Sequence, residues 1–405
     1  MKKSRILTEN KYSFRITDIL YLAGIAALVA ACYRLFYRMA IEYQGRYISD
    51  VVYYVNLPTA ANKERYRIIG FVFDLLYRLG IRSRGMAAYL ALTIGLIVLA
   101  NFIYLKFFRE DDREDRIILQ AASLLMPFMG PIYVPGFHEY YYEKSFQTFA
   151  WHSPTEQSMI LFSIFAMMCF IKMYEESGEK VSVKWWLLTM ITSLLSALGK
   201  PAFAIDLILA MILMFLIDLF NDDGNPFLKR LGNRIIMGIS LIPTGLYMLL
   251  EMKLDFEGQG ESHSGSVVMS MKSVIEYDGL FAAIVCGLAF PIIVWAVNFR
   301  RIKEKRYKTV FMVFLMGIAQ WAFLAEEGPR AGHGNFTWGR QAGCYFLFLT
   351  SVAMAVNNWY DKDFMAGRPV ARKTYFAGLV MLLALHICSQ LRYFYIISQG
   401  HIYYF

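Results

Sequence analysis

The sequence predicts an all-α membrane protein, a polytopic transmembrane helical bundle of about eleven spans with an interfacial helix in its first external loop. Three observations carry this. Hydrophobic residues make up 57% of the 405 residues, against roughly 45–50% in a soluble domain, so the chain has more apolar side chain than a soluble core would bury. These residues gather in runs close to the roughly 20 residues a helix needs to cross the hydrocarbon layer. Finally, 25 of the 41 Lys and Arg fall in six segments that the chain would reach after every second run: 1–17, 106–116, 172–184, 221–234, 299–308 and 357–373. Positive residues stay with the cytoplasmic loops, so the pattern is that of a chain crossing back and forth.

Taken in order, the runs place spans near 18–39, 85–107, 117–134, 156–174, 185–198, 202–220, 235–251, 278–298, 309–325, 338–356 and 374–397. The basic stretch before the first run and the lack of a small-residue cleavage site after it mark a retained first span. A cytoplasmic N-terminus and an odd span number put the C-terminus outside the cell membrane. Spans of one bundle bury one another, so residues 1–405 are read as a single integral membrane domain.

The formal charge of +9 would point to nucleic acid in a soluble protein. Here most cations flank apolar runs and serve orientation, so nucleic acid is not an expected partner. Cys32, Cys169, Cys286, Cys344 and Cys388 all lie inside apolar runs without CxxC spacing or nearby histidines, and read as small core residues.

Four larger segments fall outside: 40–84, 135–155, 252–277 and 326–337. In the first, Tyr66–Gly80 (YRIIGFVFDLLYRLG) has apolar residues at helical spacing, with Asp74 and Arg78 one turn apart. That suits a helix lying in the membrane interface. The same 40–84 segment holds seven Lys and Arg. The runs 185–198 and 202–220 are separated by Gly199-Lys200-Pro201, a tight turn because Gly and Pro both break a continuing helix. The Gly- and Ser-rich stretch in 252–277 reads as a flexible connection.

The external segments hold the residues that could carry chemistry. Asp50 lies among apolar and aromatic residues, where a carboxylate needs a task or a partner, for which Arg46 is one choice. The second segment offers His138, Glu139, Glu143, His152 and Glu156 amid aromatic rings. Rings beside carboxylates suit a sugar, whose C–H faces pack on the planes while its hydroxyls find charged partners. An interfacial aromatic belt would use the same rings. Ser153-Pro154-Thr155-Glu156 also reads as a helix start, where Glu156 would favour the helix dipole. Lys200, at a turn tip, would either neutralise a phosphate or snorkel to the surface. Asp206, inside a run, is expected to accept from a buried donor. The last segment packs Glu326, Glu327, Arg330, His333, Asn335, Trp338 and Arg340 together with four glycines and prolines. Its arginines are phosphate candidates, because guanidinium forks match phosphate oxygens. A polar cap over the span ends would use the same residues.

With Ser49-Asp50 in a long first external loop, an interfacial helix over 66–80, a His-x-Pro-Thr span start at 152–155 and a Lys-Pro turn at 200–201, the chain resembles the GT-C superfamily of polytopic glycosyltransferases. The resemblance implies an enzyme at the outer face of the membrane that takes a sugar from a polyprenyl-phosphate carrier and passes it to a glycan acceptor of the cell envelope. It implies that Asp50 is a catalytic base or a metal partner, which leaves a divalent metal ion open as cofactor. The single acid at 49–50 departs from the paired acids commoner in that superfamily. Substrate contacts are expected at His138, Glu139, His152, Glu156, Lys200, Glu327, Arg330, His333, Trp338 and Arg340. Two other readings use the same surface: a polysaccharide polymerase or ligase acting on lipid-linked oligosaccharides, and a transporter or flippase of lipid-linked substrates. The latter would need charged residues along a path through the bilayer, whereas here the charge gathers at one face. Nucleotide-binding motifs of the GxxxxGK[ST] and GxGxxG types are absent from the sequence.

Overall fold

The computed structural model describes residues 15–42, 49–56, 67–110, 116–134, 152–178, 180–220, 226–257, 266–276, 279–327 and 335–399. In chain order the helices are α1 (Ile16–Tyr37), α2 (Asp50–Asn56), α3 (Ile68–Arg78), α4 (Ser83–Phe107), α5 (Arg116–Leu125), α6 (Pro154–Glu176), α7 (Val183–Gly199) and α8 (Ala202–Phe220). They continue as α9 (Phe227–Ile239), α10 (Ile242–Glu257), α11 (Lys272–Ile275), α12 (Leu280–Val297), α13 (Lys305–Phe323), α14 (Thr337–Tyr360) and α15 (Pro369–Ser398). Two short strands, β1 (Ser266–Met269) and β2 (Leu324–Glu327), pair antiparallel with Ser266 opposite Glu327.

The helices pack chiefly as α6 on α7, α13 on α14, α1 on α4, and α8 on α13 and α14. At the centre stands α14, in which every residue from Gly339 to Met354 is buried. A helix apolar on all sides belongs inside a bundle, and α14 fits that rule except for its ends. Tyr104 of α4 shares a 2.9 Å hydrogen bond with Thr350, and Tyr345 donates to Asn101 Oδ1 at 2.5 Å. These bonds fix the pillar against its neighbour where no water competes.

Among the described residues, six helices are long and apolar enough to cross a membrane: Ile16–Glu42, Ser83–Phe107, Pro154–Glu176, Ala202–Phe220, Leu280–Val297 and Pro369–Ser398. The pair Phe227–Ile239 and Ile242–Leu254, bent by 45°, makes a seventh if it is one span. The expected count of about eleven is therefore not what length and apolarity give. Helix α7 is shorter than a full span. Helices α13 and α14 carry Gln320, Arg340, Gln341, Asn357 and Asn358, all buried against neighbouring helices.

The run 117–134 departs most from a plain span. Helix α5 stops at Leu125, a 3₁₀ turn containing Pro127 follows, and Met129–Val134 runs without helix. The backbone freed there is satisfied by neighbours: Ile132 N donates to Cys286 O at 3.0 Å, Tyr133 N to Ser389 Oγ at 3.1 Å, and His386 Nδ1 to Gly130 O at 2.6 Å. Irregular backbone is tolerated in an apolar environment only when each polar group finds such a partner.

Polar groups tie the two ends of the bundle separately. At the C-terminal end of α6, Tyr174 donates to Asp218 at 2.5 Å, and Arg234 and Lys308 reach the same carboxylate at 3.0 and 2.7 Å. Arg306 joins Glu175 at 2.8 Å. The N-terminal end of α6, 23 residues away and so about 35 Å at 1.5 Å per residue, holds a second and different cluster.

Candidate functional site

The second cluster is assembled from segments far apart in sequence. Asp50 is the first residue of α2, and Ser49 before it donates from Oγ to the carbonyl of His152 at 2.8 Å while accepting from Val51 N at 3.2 Å. The hydroxyl thus fastens the start of α2 to the start of α6. Pro154 opens α6 in the N1 position, where its missing N–H costs nothing. Glu156 and Gln157 in that first turn are both fully buried.

The turn between α7 and α8 brings in Lys200. Helix α7 ends there because Pro201 follows, and Lys200 N still closes the last turn on Ser196 O at 3.0 Å. Close approach of α6 and α7 sets the depth of this turn: a Cβ on Gly199 would lie 2.6 Å from Met159 N. Only glycine lets the two backbones meet there. The Lys200 Nζ lies 3.3 Å from the centroid of the Trp338 ring, and the His152 imidazole stacks on Trp338 at 5.7 Å between centroids and 23° between planes. One indole therefore contacts both the Lys200 ammonium and the His152 ring.

A third pair completes the cluster. Arg67, just before α3, donates from Nε to Glu251 Oε1 of α10 at 3.0 Å and from Nη1 to the Tyr54 hydroxyl of α2 at 3.3 Å. The Lys200 ammonium lies within the fields of Asp50, Glu156, Arg67 and Glu251, and His152 within those of Asp50 and Lys200. Burial pushes Lys200 down to about 8, helped by Arg67 and opposed by the three carboxylates. Burial likewise holds His152 down at about 4, with Lys200 acting in the same direction and Asp50 against it. At neutral pH His152 is a neutral imidazole and Lys200 a cation poised near its titration.

Of the residues expected from sequence, Asp50, His152, Glu156, Lys200 and Trp338 share this cluster. Lys200 is half-buried, with its ammonium over the Trp338 indole and Asp50, Glu156 and Glu251 nearby. Arg340, two residues after Trp338, lies elsewhere: it is buried, with its guanidinium carbon 4.6 Å from the Trp321 ring of α13. It belongs to an interior polar layer in which Gln320 donates to Asp206, the buried donor expected for that carboxylate. Glu327 is exposed at the end of β2, with Ser266 Oγ 3.5 Å away, while its neighbour Glu326 accepts from Asn335 at 2.8 Å. His138, Glu139, Glu143, Arg330, His333 and the alternative Asp50 partner Arg46 lie outside the described residues.

Three members of the cluster escaped the sequence reading: Arg67, Tyr54 and Glu251. Glu251 closes an apolar run and Arg67 precedes an amphipathic one, which is the usual place for interfacial charge. Only the fold shows that they face each other. Among the described residues no three His, Cys, Asp or Glu side chains come together as a metal site requires.

No family model matches the chain, and no curated protein matches its sequence. Among solved structures, the chain is similar to an archaeal oligosaccharyltransferase, AglB from Archaeoglobus fulgidus, solved in complex with an inhibitory peptide and a dolichol-phosphate. The TM-score is 0.49 with 11% identity, over 95% of this chain and 56% of that one, so the chain spans a little over half the length of that protein.

Proposed function

We propose that the protein is a membrane glycosyltransferase that moves a sugar from a polyprenyl-phosphate carrier to a cell-envelope glycan acceptor at the outer face of the membrane. The observation that carries this reading is the convergence of Asp50, His152 and Lys200, with Trp338 contacting the latter two, at one end of an apolar bundle. A carboxylate near a half-buried cation and an aromatic plane suits transfer from a lipid phosphate, offering a base, a countercharge and a surface for a sugar. The charge rule assigns that end of α6 to the outside.

In this reading the Asp50 carboxylate takes the proton of an acceptor hydroxyl as that oxygen bonds to the anomeric carbon. The bond from the anomeric carbon to the phosphate oxygen breaks, and its electron pair leaves with the lipid phosphate. Lys200 stabilises that anion in a site with little water, where its charge counts for more than in bulk solvent. His152, neutral at pH 7, offers a hydrogen bond to a sugar hydroxyl and no competing charge. The isoprenoid tail is placed along the apolar outer faces of the helices.

The test is sugar transfer by the purified chain in nanodiscs from synthetic polyprenyl-phosphate sugars. Asp50→Asn, eluting and unfolding as the wild type does, is expected to lose about 10²- to 10⁴-fold, the usual worth of a general base. Wild-type rates in Asp50→Asn, or no transfer from a broad donor panel, would remove the catalytic assignment.

A further inference from the structure

Cations outside the cytoplasmic loops do nothing for orientation, yet seven lie in segment 40–84. Arg67 is accounted for by the cluster above. Arg78, Arg82 and Arg84 gather instead at the corner where α3 turns into α4, and all three are exposed. The corner is closed by Gly80 at φ +78°, with Gly80 N bonded to Tyr77 O at 3.0 Å and Ile81 N to Leu76 O at 2.9 Å. Glycine takes this left-handed position without strain.

Helix α3 buries Ile69, Gly70 and Phe73 and packs against α2, α4, α6 and α7. Its outer face carries Phe71, Leu75 and Leu79 at successive turns, 60%, 47% and 67% exposed. Below the corner, Leu92, Leu96, Leu99 and Ile103 form an exposed stripe along α4, the face a spanning helix turns to lipid. The guanidiniums therefore sit about two helical turns beyond the end of that stripe, toward the level of lipid headgroups. The Arg82 guanidinium carbon is 4.3 Å from the Tyr77 ring and that of Arg84 is 5.8 Å from the Tyr37 ring. Asp74 is engaged by Arg78 at 2.9 Å, while neither Arg82 nor Arg84 is ion-paired with a described residue.

We propose that the α3–α4 corner binds an anionic phospholipid, with phosphate oxygens accepting from Arg82 and Arg84 and acyl chains lying against Phe71, Leu75, Leu79 and the α4 stripe. Two guanidiniums without an ion pair among the described residues, beside the exposed apolar faces of α3 and α4, match a lipid that carries net negative charge over two hydrocarbon chains. The proposal is independent of glycosyl transfer.

It is tested on the purified full chain in detergent, titrated with dioleoyl phosphatidylglycerol or dioleoyl phosphatidylcholine, with bound lipid counted by native mass spectrometry. Phosphatidylglycerol is expected to bind the wild type more tightly than phosphatidylcholine. R82Q/R84Q should weaken phosphatidylglycerol about fivefold to twentyfold and leave phosphatidylcholine unchanged, while R82K/R84K keeps most of the binding. If the glutamine pair does not fold, R82Q and R84Q singly are expected to lose about two- to fivefold each. Undiminished phosphatidylglycerol binding by the glutamine variants, or equal binding of the two lipids by the wild type, overturns it.

Discussion

The ammonium of Lys200 sits 3.3 Å from the centroid of the Trp338 ring, joining the turn between α7 and α8 to the first residues of α14. Lys200 titrates in the fold at about 8, below its ordinary 10.5. Its charge is therefore lost as pH rises through about 8, and with it the proposed hold on an anionic leaving group. The kcat/KM for sugar transfer is expected to fall on an alkaline limb near pH 8, and Lys200→Arg to move that limb upward, because a guanidinium stays protonated throughout.

The same depression fixes a stability sign. The unfolded chain keeps the Lys200 proton up to about 10.5 and the folded chain only to about 8, so below pH 8 the buried charge opposes folding. Lys200→Met is expected to unfold at the same or a higher temperature at pH 7 while losing at least tenfold in transfer. A large drop in melting temperature would show that Lys200 is structural.

Arg67 and Glu251 bridge α3 to α10, with side chains 18% and 4% exposed. Removing one partner of a buried pair costs about 3–5 kcal/mol, and Glu251→Ala is expected to cost about 2–4 because Arg67 keeps Tyr54 and some solvent. The double change Arg67→Met with Glu251→Met should cost less than Glu251→Ala alone. Denaturant unfolding of the three variants checks the order.

Gly199→Ala would set a methyl 2.6 Å from the backbone nitrogen of Met159. Helices α6 and α7 must then separate, at about 1–3 kcal/mol for overpacking. Because the obstacle is backbone, Met159→Ala is expected not to restore the melting temperature.

Inside the bundle, Asp206 accepts from Gln320, and Gly339 leaves room for both, its Cβ position lying 3.0 Å from each side chain. Asp206→Leu would leave the buried Gln320 amide with the long contact to the Ala202 carbonyl at 3.5 Å, at about 1–3 kcal/mol, whereas Asp206→Asn, which keeps an acceptor, should cost less. Thermal unfolding of the two variants separates these outcomes.

Much of the secondary structure was legible because it follows from local pattern. The Gly199-Lys200-Pro201 break, the start of α6 at Pro154 and the Asp74 to Arg78 pair of α3, here 2.9 Å apart, all stand where the sequence put them. Five of the expected site residues meet in one cluster, since polar groups at the same end of neighbouring helices have few places to go. The unwound Met129–Val134 segment and the β1–β2 pair were not legible, as both depend on partners more than fifty residues away.

The sequence by itself determined that the chain is a helical membrane protein with most of its charged residues gathered in the connections. Hydrophobic content and the spacing of cations are properties of the chain, whatever its fold. Tertiary structure decided which charges meet. It sent Arg340 to Trp321 and an interior layer, although it stands two residues from Trp338, because α14 turns about 100° per residue and presents the two side chains to different neighbours. It also joined Arg67 to Glu251 across 184 positions, since α3 and α10 both pack against α7.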